Sequence, residues 1–326
     1  MKQRSRLCGQ VLFVCAGVVA SVFAAAAHAA YPERPIRLII PFPPGGSNDV
    51  LGRYVSVKLT ERLHEQIVVD NRGGANGIIA AEMAAHSAPD GYTLLMVSTS
   101  WVMNGAVRKL PYDVEESFDP IAMIGTSPNA IVVNPKGPYK TLKDLVADAK
   151  ARPGAINYAS TGVVSFNHFG GELFKKAAGI YMVHTPYKGG GPAMTDVIAG
   201  NIPVMFTSIL QVLPHVRSGL IRMLAVGAGK RSPVLPDVPT VGESGYPGYE
   251  VAVWWGMVVP AGVPARVQEK LRTLINAIVD EPDTKKRLLA DAAEPITMTP
   301  AEMRKLVQAE LRKWRETAKV AGIRVE

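Results

Sequence analysis

Three loops of this sequence combine glycine with hydroxyl, amide or ammonium side chains, which are residue types that bind small anions. They cover residues 43–49 (PPGGSND), 160–168 (STGVVSFNH) and 186–192 (PYKGGGP). In each loop a predicted strand is followed by a predicted helix. The first turn of a helix has free backbone N–H groups and a partial positive charge, and glycine lets a ligand approach them closely. These loops therefore predict an anion-binding site at the ends of the strands.

Hydroxyl groups at two other strand ends extend this set. Ser98, Thr99 and Ser100 follow one predicted strand, and Thr207 ends another. Each loop also has a purely structural interpretation, as an ordinary strand-to-helix turn, a helix cap formed by Ser165, or a solvated loop. The candidate ligand-binding residues are Pro44, Gly45, Gly46, Ser98, Thr99, Ser100, Ser160, Thr161, Gly162, Ser165, Asn167, His168, Tyr187, Lys188, Gly189 and Thr207.

The sequence lacks the common catalytic and metal-binding motifs. It has no G-x-S-x-G, H-E-x-x-H or G-x-G-x-x-G pattern, and the third loop lacks the G-K-[ST] ending of a P-loop. Both cysteines, Cys8 and Cys15, lie in the N-terminal export segment described below. We therefore expect no enzyme activity, no catalytic residue, no metal and no cofactor. One enzymatic alternative stays open, a periplasmic hydrolase that pairs Ser165 or Ser160 with His168, although no orienting acid is evident.

The N-terminal segment has the pattern of a cleavable secretory signal. Three basic residues within positions 2–6 precede an apolar stretch over residues 11–27, and an A-x-A site ends at Ala29. We expect cleavage near Ala29 or Ala30, which makes the mature protein periplasmic. The alternatives are an N-terminal membrane anchor, which the short apolar run disfavours, and a lipoprotein anchored at Cys15.

The composition is typical of a globular α/β protein. Apolar residues make up 48% and charged residues 20% of the chain, which excludes a disordered protein or a coiled coil. The formal net charge of +8 becomes +5 (8 − 3) without the three basic residues of the export segment. Because the remaining charges are interspersed rather than gathered in a basic stripe with aromatic residues, we expect no nucleic-acid partner.

The apolar pattern predicts two series of alternating strands and helices. In the first series, strands near residues 36–40, 67–69 and 93–97 alternate with helices that begin near Ser47 and Ile78. This alternation predicts an α/β fold with parallel, doubly wound sheets. Further strands are predicted at residues 130–133, 156–160, 181–185, 204–207, 221–226 and 250–259, and further helices at residues 142–152, 165–178, 192–199, 264–280 and 301–321.

Short motifs occur in a fixed order along the mature chain. They are YPERPI at residues 31–36, PFPPGG at 41–46, PDGYTLL at 89–95, HTPYKG at 184–189, LPDVPT at 235–240 and PAG at 260–262. Each motif is weak alone, but together they are specific and cover essentially the whole mature chain. The sequence therefore resembles the periplasmic receptors of tripartite tricarboxylate transporters, also called Bug proteins.

The resemblance implies a type II periplasmic-binding-protein fold, a Venus flytrap of two doubly wound lobes. The chain would cross between the lobes near residues 126–128 and 253–255, and these crossings would form the hinge. The family's ligand-contacting loops correspond to residues 44–46, 160–168 and 187–189, which are the turns selected above. The expected division is a signal peptide at residues 1–30, lobe 1 at residues 31–125 with 256–326, and lobe 2 at residues 126–255.

The implied function is capture of a small organic carboxylate between the lobes and its delivery to the membrane subunits of a tripartite tricarboxylate-type transporter. A periplasmic sensor for a signalling system would use the same pocket, and the sequence does not separate the two roles. Many family members carry an aspartate where this chain has Thr207, and that aspartate can pair with a ligand ammonium group. We therefore expect a plain carboxylate rather than an amino acid, bound by a monomer.

Overall fold

The computed structural model describes residues 31–323, in which ten strands form a mixed sheet. The predicted signal peptide and its cleavage site lie outside the described residues. The main strand order is β2-β1-β3-β9-β4-β7-β5-β6, and β8 and β10 also pair with β4. The strands are β1 (Ile36–Ile40), β2 (Ile67–Asn71), β3 (Thr93–Ser98), β4 (Phe118–Val133), β5 (Asn157–Ser160), β6 (Val183–Pro186), β7 (Val204–Ser208), β8 (Arg222–Gly227), β9 (Ala252–Pro260) and β10 (Glu294–Pro295).

Helices cover the sheet, and most of them follow a strand directly. A single 3-10 turn, Ala75–Gly77, precedes the second α-helix. No helix in the described part of the chain is long and apolar enough to cross a membrane. The α-helices are α1 (Ser47–Leu63), α2 (Ile78–Ala85), α3 (Thr99–Val107), α4 (Leu142–Ala151), α5 (Phe166–Ala178), α6 (Gly190–Ala199), α7 (Ile209–Arg217), α8 (Ala265–Asp280), α9 (Pro282–Ala290) and α10 (Pro300–Ala321).

The sheet contains two parallel groups joined by antiparallel strands. Strands β2, β1 and β3 are parallel to one another, and so are β6, β5 and β7. Strands β9 and β4 lie between the groups and pair antiparallel with their neighbours. The expectation of parallel sheets is therefore correct for each group and wrong for the strands that connect them. The apolar run of β1 reflects this arrangement, because parallel strands are covered on both faces and Leu38, Ile39 and Ile40, whose side chains alternate between the faces, are almost fully buried.

Strand β4 is much longer than the four residues predicted for it. It continues through Pro120 and Pro128, with register shifts against β9 near Pro120 and Met123. Proline cannot donate to a strand ladder, so its presence argues against a strand when only the sequence is known. The two predicted crossing segments pair with each other here, with Thr126 opposite Trp254. The predicted lobe bounds stay a prediction.

Three helices were not predicted, α3, α7 and α9. Helix α7 contains Pro214 and α9 begins with Pro282, while α3 follows β3 without a break. Two predicted helix starts are confirmed, because Thr141 and Thr299 each form a capping box with an acidic residue at the third helical position.

Candidate functional site

Five helices begin around one buried cleft. These are α1, α3, α5, α6 and α7, and each follows the carboxyl end of a parallel strand, which is where α/β sheets bind ligands. Parallel pairing within each group therefore brings the loops together at one edge of the sheet. The residues that line the cleft are Phe42, Gly46, Ser47, Asn48, Ser98, Ser100, Thr161, Phe166, Asn167, Gly190, Ser208, Gln211 and Val253.

The cleft is polar but carries no charge on any of the described residues that line it. The side chains of Asn48, Asn167 and Gln211 are at least nine-tenths buried. Each has one amide atom without a hydrogen-bond partner, which is Oδ1 in the two asparagines and Nε2 in Gln211. Buried polar atoms are normally paired. The unpaired Gln211 nitrogen can therefore donate to an anionic ligand, whereas the two asparagine oxygens need a donor such as a water molecule or a ligand hydroxyl group.

Three of the five helix starts also leave backbone N–H groups open. The N-cap residues Gly46, Ser98 and Gly189 make no side-chain cap to α1, α3 and α6 within residues 31–323. The first N–H groups of a helix have no partner inside the helix, and the helix dipole makes this end partly positive. A negatively charged group in the cleft is therefore stabilised without a cationic side chain.

Asp49 fixes the first predicted loop. Its carboxylate accepts hydrogen bonds from the backbone of Gly45 at 3.1 Å and from the side chain of Asn71 at 2.9 Å. Arg53 lies one turn later in α1, and its Nε is 2.9 Å from Asp49 Oδ1, so it compensates the charge of the carboxylate. Gly45 lies in the left-handed region at φ 86°, which favours glycine. The sequence motif thus holds the backbone of Pro44, Gly45 and Gly46 in one shape at the start of α1.

The third loop packs directly against the first. A Cβ atom added to Gly191 would lie 2.4 Å from the backbone oxygen of Pro44, and one added to Gly189 would lie 2.7 Å from a ring carbon of Pro43. Only glycine allows this backbone approach. Tyr187 and Lys188 do not line the cleft. The Tyr187 hydroxyl instead donates to Asp196 in α6 at 2.6 Å.

The second predicted loop supplies both a helix cap and cleft residues. Ser165 caps α5 by accepting from the backbone N–H of His168 at 3.2 Å. Thr161 and Asn167 line the cleft, and their side chains are 3.3 Å apart. Gly162 adopts φ 140°, which few other residues could.

An imidazole pair, which we define as His168 and His184, lies beside this loop. The two ring centroids are 3.9 Å apart and the rings are stacked. His184 Nε2 is 2.6 Å from Ser160 Oγ, and His168 Nδ1 accepts from the backbone N–H of Val164 at 3.2 Å. Burial, together with the positive charges of Lys175 and Arg108, lowers the pKa of His168 to about 4. Burial and the neighbouring His168 lower the pKa of His184 to about 3, so both rings are neutral at pH 7.

The strand-end hydroxyls have different roles. Ser98 and Ser100 line the cleft, and Ser100 Oγ also accepts from the first N–H of α5 at 3.1 Å. Thr99 accepts from the backbone of Trp254 at 2.9 Å and does not line the cleft. Thr207 is fully buried, and its hydroxyl lies 3.2 Å from Gln211 Oε1. Thr207 therefore orients the Gln211 amide, whose nitrogen stays available to a ligand.

Of the sixteen candidate residues, the structure brings Gly46, Ser98, Ser100, Thr161 and Asn167 to the cleft itself. The others lie in the same loops or strand ends, where Ser160, Ser165 and His168 hold the backbone and Lys188 is exposed. The cleft residue that sequence reasoning missed most clearly is Gln211. A local signal for it exists, because serine at 208 followed by glutamine three residues later is the pattern of a capping box.

The cleft is nearly closed. The volume open to the centre of a water molecule is about 20 Å³, which is room for roughly one water. A ligand larger than a water molecule therefore needs more space than the cleft has in this conformation.

The hydrolase alternative does not match the hydrogen bonds. Neither candidate serine hydroxyl is paired with a ring nitrogen of His168, whose Nδ1 is occupied by a backbone N–H. Ser160 instead contacts His184, and Ser165 accepts a backbone N–H as a helix cap. Within residues 31–323 no group of three or more histidine, cysteine, aspartate or glutamate side chains could hold a metal ion.

Comparisons with known proteins agree with a receptor. Residues 51–323 match the profile described as tripartite tricarboxylate transporter family receptor. The chain is 35% identical over 97% of its length to protein BugT of Bordetella pertussis, of which it covers 97%. Its structure is similar to Rpa4515 of Rhodopseudomonas palustris with adipate, with a TM-score of 0.87, 34% identity, and coverage of 90% of this chain and 99% of that one. It is also similar to MatC of the same organism with bound malate, with a TM-score of 0.83, 28% identity, and coverage of 88% and 99%.

The fold and the cleft define a solute-binding protein with the α/β periplasmic-binding-protein fold, and that predicted fold class is confirmed. The chain belongs to the tripartite tricarboxylate transporter receptor family, which includes the Bug proteins. Members of this family are periplasmic receptors and not enzymes.

Proposed function

We propose that this protein captures a small carboxylate in the cleft and delivers it to the membrane subunits of a tripartite tricarboxylate-type transporter. The observation that carries the proposal is the meeting of five helix starts around an uncharged, buried and polar cleft. Delivery to the transporter rests on membership of the family.

Helix dipoles and amide groups suit a carrier because they bind an anion without a fixed counter-ion. A buried ion pair is costly to break once one partner is removed. In this cleft, the open N–H groups of α1, α3 and α6 and the Gln211 amide can return to water when the ligand leaves. The chemistry of the site therefore favours selective but reversible capture.

The ligand class follows from the same groups. Neither Thr207, which is buried beside the cleft, nor any described residue that lines the cleft offers a negative charge to a ligand ammonium group. We therefore propose a carboxylate without an amino group. Two structural relatives were determined with adipate and with malate, which makes a short dicarboxylate the first class to test.

Capture requires the cleft to open and close. We propose that residues 31–125 with 256–326 and residues 126–255 move as two lobes about the paired segments of β4 and β9. A ligand that contacts both lobes only in the closed form shifts the equilibrium toward it. Solution scattering tests this step, because closure reduces the radius of gyration and a radius that a bound ligand leaves unchanged rules the motion out.

A binding screen tests the ligand class. The mature protein, unfolded and refolded to remove any copurified ligand, is melted with adipate, malate, citrate, benzoate or glutamate. A ligand at a hundredfold excess over its Kd adds about 2.7 kcal/mol of stability, which raises the Tm by roughly 5–10 °C for a protein of this size. We expect this rise with a dicarboxylate and none with glutamate.

Two controls make the screen specific. The dimethyl ester of the active acid has the same carbon chain without the charge, and we expect it not to bind. The Gln211→Ala variant removes a cleft amide, and we expect it to weaken binding, whereas Gln308→Ala on the exposed face of α10 should not. Failure of every acid to raise the Tm of the refolded protein would rule out a carboxylate receptor for these ligands.

A further inference from the structure

One segment beside the cleft is held in an unfavourable conformation. Val164 has φ 70°, in the left-handed region, and is fully buried. A β-branched residue rarely adopts this conformation, which persists only where the surroundings fix it. The strained residue lies directly after Thr161, Gly162 and Val163, the stretch that contributes to the cleft wall.

Both ends of this stretch contact the imidazole pair. At one end, Ser160 Oγ is 2.6 Å from His184 Nε2 and also exchanges hydrogen bonds with the backbone of Gly162 at 3.1 Å. At the other end, the N–H of Val164 donates to His168 Nδ1 at 3.2 Å. The stacking of the two rings joins these ends, although they are four residues apart in sequence.

We propose that the imidazole pair is the positioning unit of the loop at residues 160–164, and that the loop keeps its ligand-binding shape only while His168 Nδ1 can accept a hydrogen bond. The inference rests on the proposed function, because it concerns the wall of the same cleft. Neither ring lines the cleft, so the pair acts through the loop and not through contact with the ligand.

The neighbours of the pair keep the rings neutral and oriented. Tyr158 from β5 stacks on His184 at 5.1 Å between ring centroids. Glu172 in α5 lies 3.9 Å from His168 Nε2, and its carboxylate is already engaged by Tyr158 and Lys175. Arg108, the residue after α3, donates to the backbone oxygen of Val163 at 3.3 Å, and its positive charge also lowers the pKa of His168. With Nε2 of His168 facing a carboxylate, the proton of the neutral ring belongs on Nε2 and leaves Nδ1 as the acceptor.

The experiment compares two substitutions of His168 in the ligand-free mature protein. Asparagine places a carbonyl oxygen near the position of Nδ1 and cannot be protonated, whereas leucine keeps a similar apolar volume and cannot accept. Hydrogen exchange measures the protection of the amides in residues 161–165. We expect His168→Leu to speed their exchange by about 5- to 150-fold, the effect of leaving one buried donor unpaired, and His168→Asn to stay within threefold of the wild type.

A pH titration adds a measurement that a purely packing role of His168 would not affect. Nuclear magnetic resonance follows the His168 ring and the Val164 amide from pH 7 to pH 3.5. We expect the Val164 amide to shift with the same midpoint as the ring in the wild-type protein and to lose this titration in His168→Asn. His86→Asn, at an exposed histidine, is the control.

The outcomes separate this proposal from the proposed function. Equal exchange in His168→Leu and His168→Asn, or a Val164 amide that ignores the ring titration, would overturn the positioning role whatever the protein binds. If the wild-type protein binds no carboxylate but the exchange and titration results are as expected, the proposed ligand class is overturned and the positioning of the loop still holds.

Discussion

A single methyl group at Gly191 should disfavour the closed form of the cleft. In Gly191→Ala the new Cβ would lie 2.4 Å from the backbone oxygen of Pro44, a separation that real Cβ atoms essentially never show. The oxygen belongs to the backbone of the loop that Asp49 holds in place, so it cannot swing aside as a side chain could. Gly191 has an ordinary helical conformation in the first turn of α6, so alanine itself fits the helix.

The expected loss of affinity follows from the free-energy cost of this overlap. Inserting a methyl group into a well-packed contact costs about 1–3 kcal/mol. If the overlap exists only in the closed form, the whole cost opposes ligand binding and weakens affinity by about 5- to 150-fold. The ligand-free protein should lose no stability, because alanine is up to about 1 kcal/mol more favourable than glycine in a helix.

Calorimetric titration with the acid found in the screen, together with thermal unfolding of the ligand-free protein, separates the two effects. Gly242→Ala is the matched control, because its new Cβ would find only ordinary contacts, the nearest at 3.6 Å. A Gly191→Ala protein that binds within twofold of the wild type would refute closure through these two loops. Loss of stability without ligand would show that the contact belongs to the resting fold.

Three further predictions use other parts of the molecule. Gln211→Glu should weaken binding about a hundredfold, because it places a like charge about 5 Å from the ligand. Calorimetry measures the Kd of this variant with Gln308→Glu as the control, and an unchanged Kd would contradict an anion site. The pKa values of His168 and His184 lie below the ordinary 6.5, so the unfolded chain binds more protons and the free energy of unfolding falls as the pH drops from 6.5 toward about 3. Denaturant unfolding at pH 7 and 4.5 should show a loss on the order of 5 kcal/mol from the two rings, and this loss should be smaller in the His168→Asn/His184→Gln protein. An equal loss in both proteins would contradict it. Ala252→Trp should tighten binding about fivefold, or about 1 kcal/mol. Ala252 lines a crevice of about 660 Å³ on the face of β9 opposite to the cleft, and in the proposed hinge motion this crevice narrows when the cleft opens, so a large side chain in it favours the closed form. Weaker or unchanged binding would argue against that hinge.

Local patterns in the sequence were sufficient for the parts of the site that form within one loop. The cap of α5 by Ser165 follows from a serine placed before an apolar helical repeat. Glycines at 45 and 162 mark backbone conformations that other residues avoid. These signals involve neighbours in the chain, so they could be identified without knowing how the strands pair.

The rest of the site depends on pairing across the sheet. His184 reaches Ser160 because β5 and β6 are parallel in a register that puts Tyr158 beside His184, and register is set by contacts that one sequence does not reveal. Gln211 is a different case, because the local signal of its capping-box pattern with Ser208 is offset by Pro214, which argues against a helix in that segment. The prediction of β4 was too short for a related reason, because Pro128 looks like a strand breaker until its partner Ala252 is known.

A crystal structure of the mature protein with its acid would show directly which groups hold the ligand. We expect carboxylate oxygens at about 2.7–3.2 Å from first-turn N–H groups of α1, α3 or α6 and from the side-chain amide of Gln211, with no arginine or lysine in contact. An acid bound outside the cleft, or held there by a cationic side chain such as Lys188, would contradict capture by helix starts.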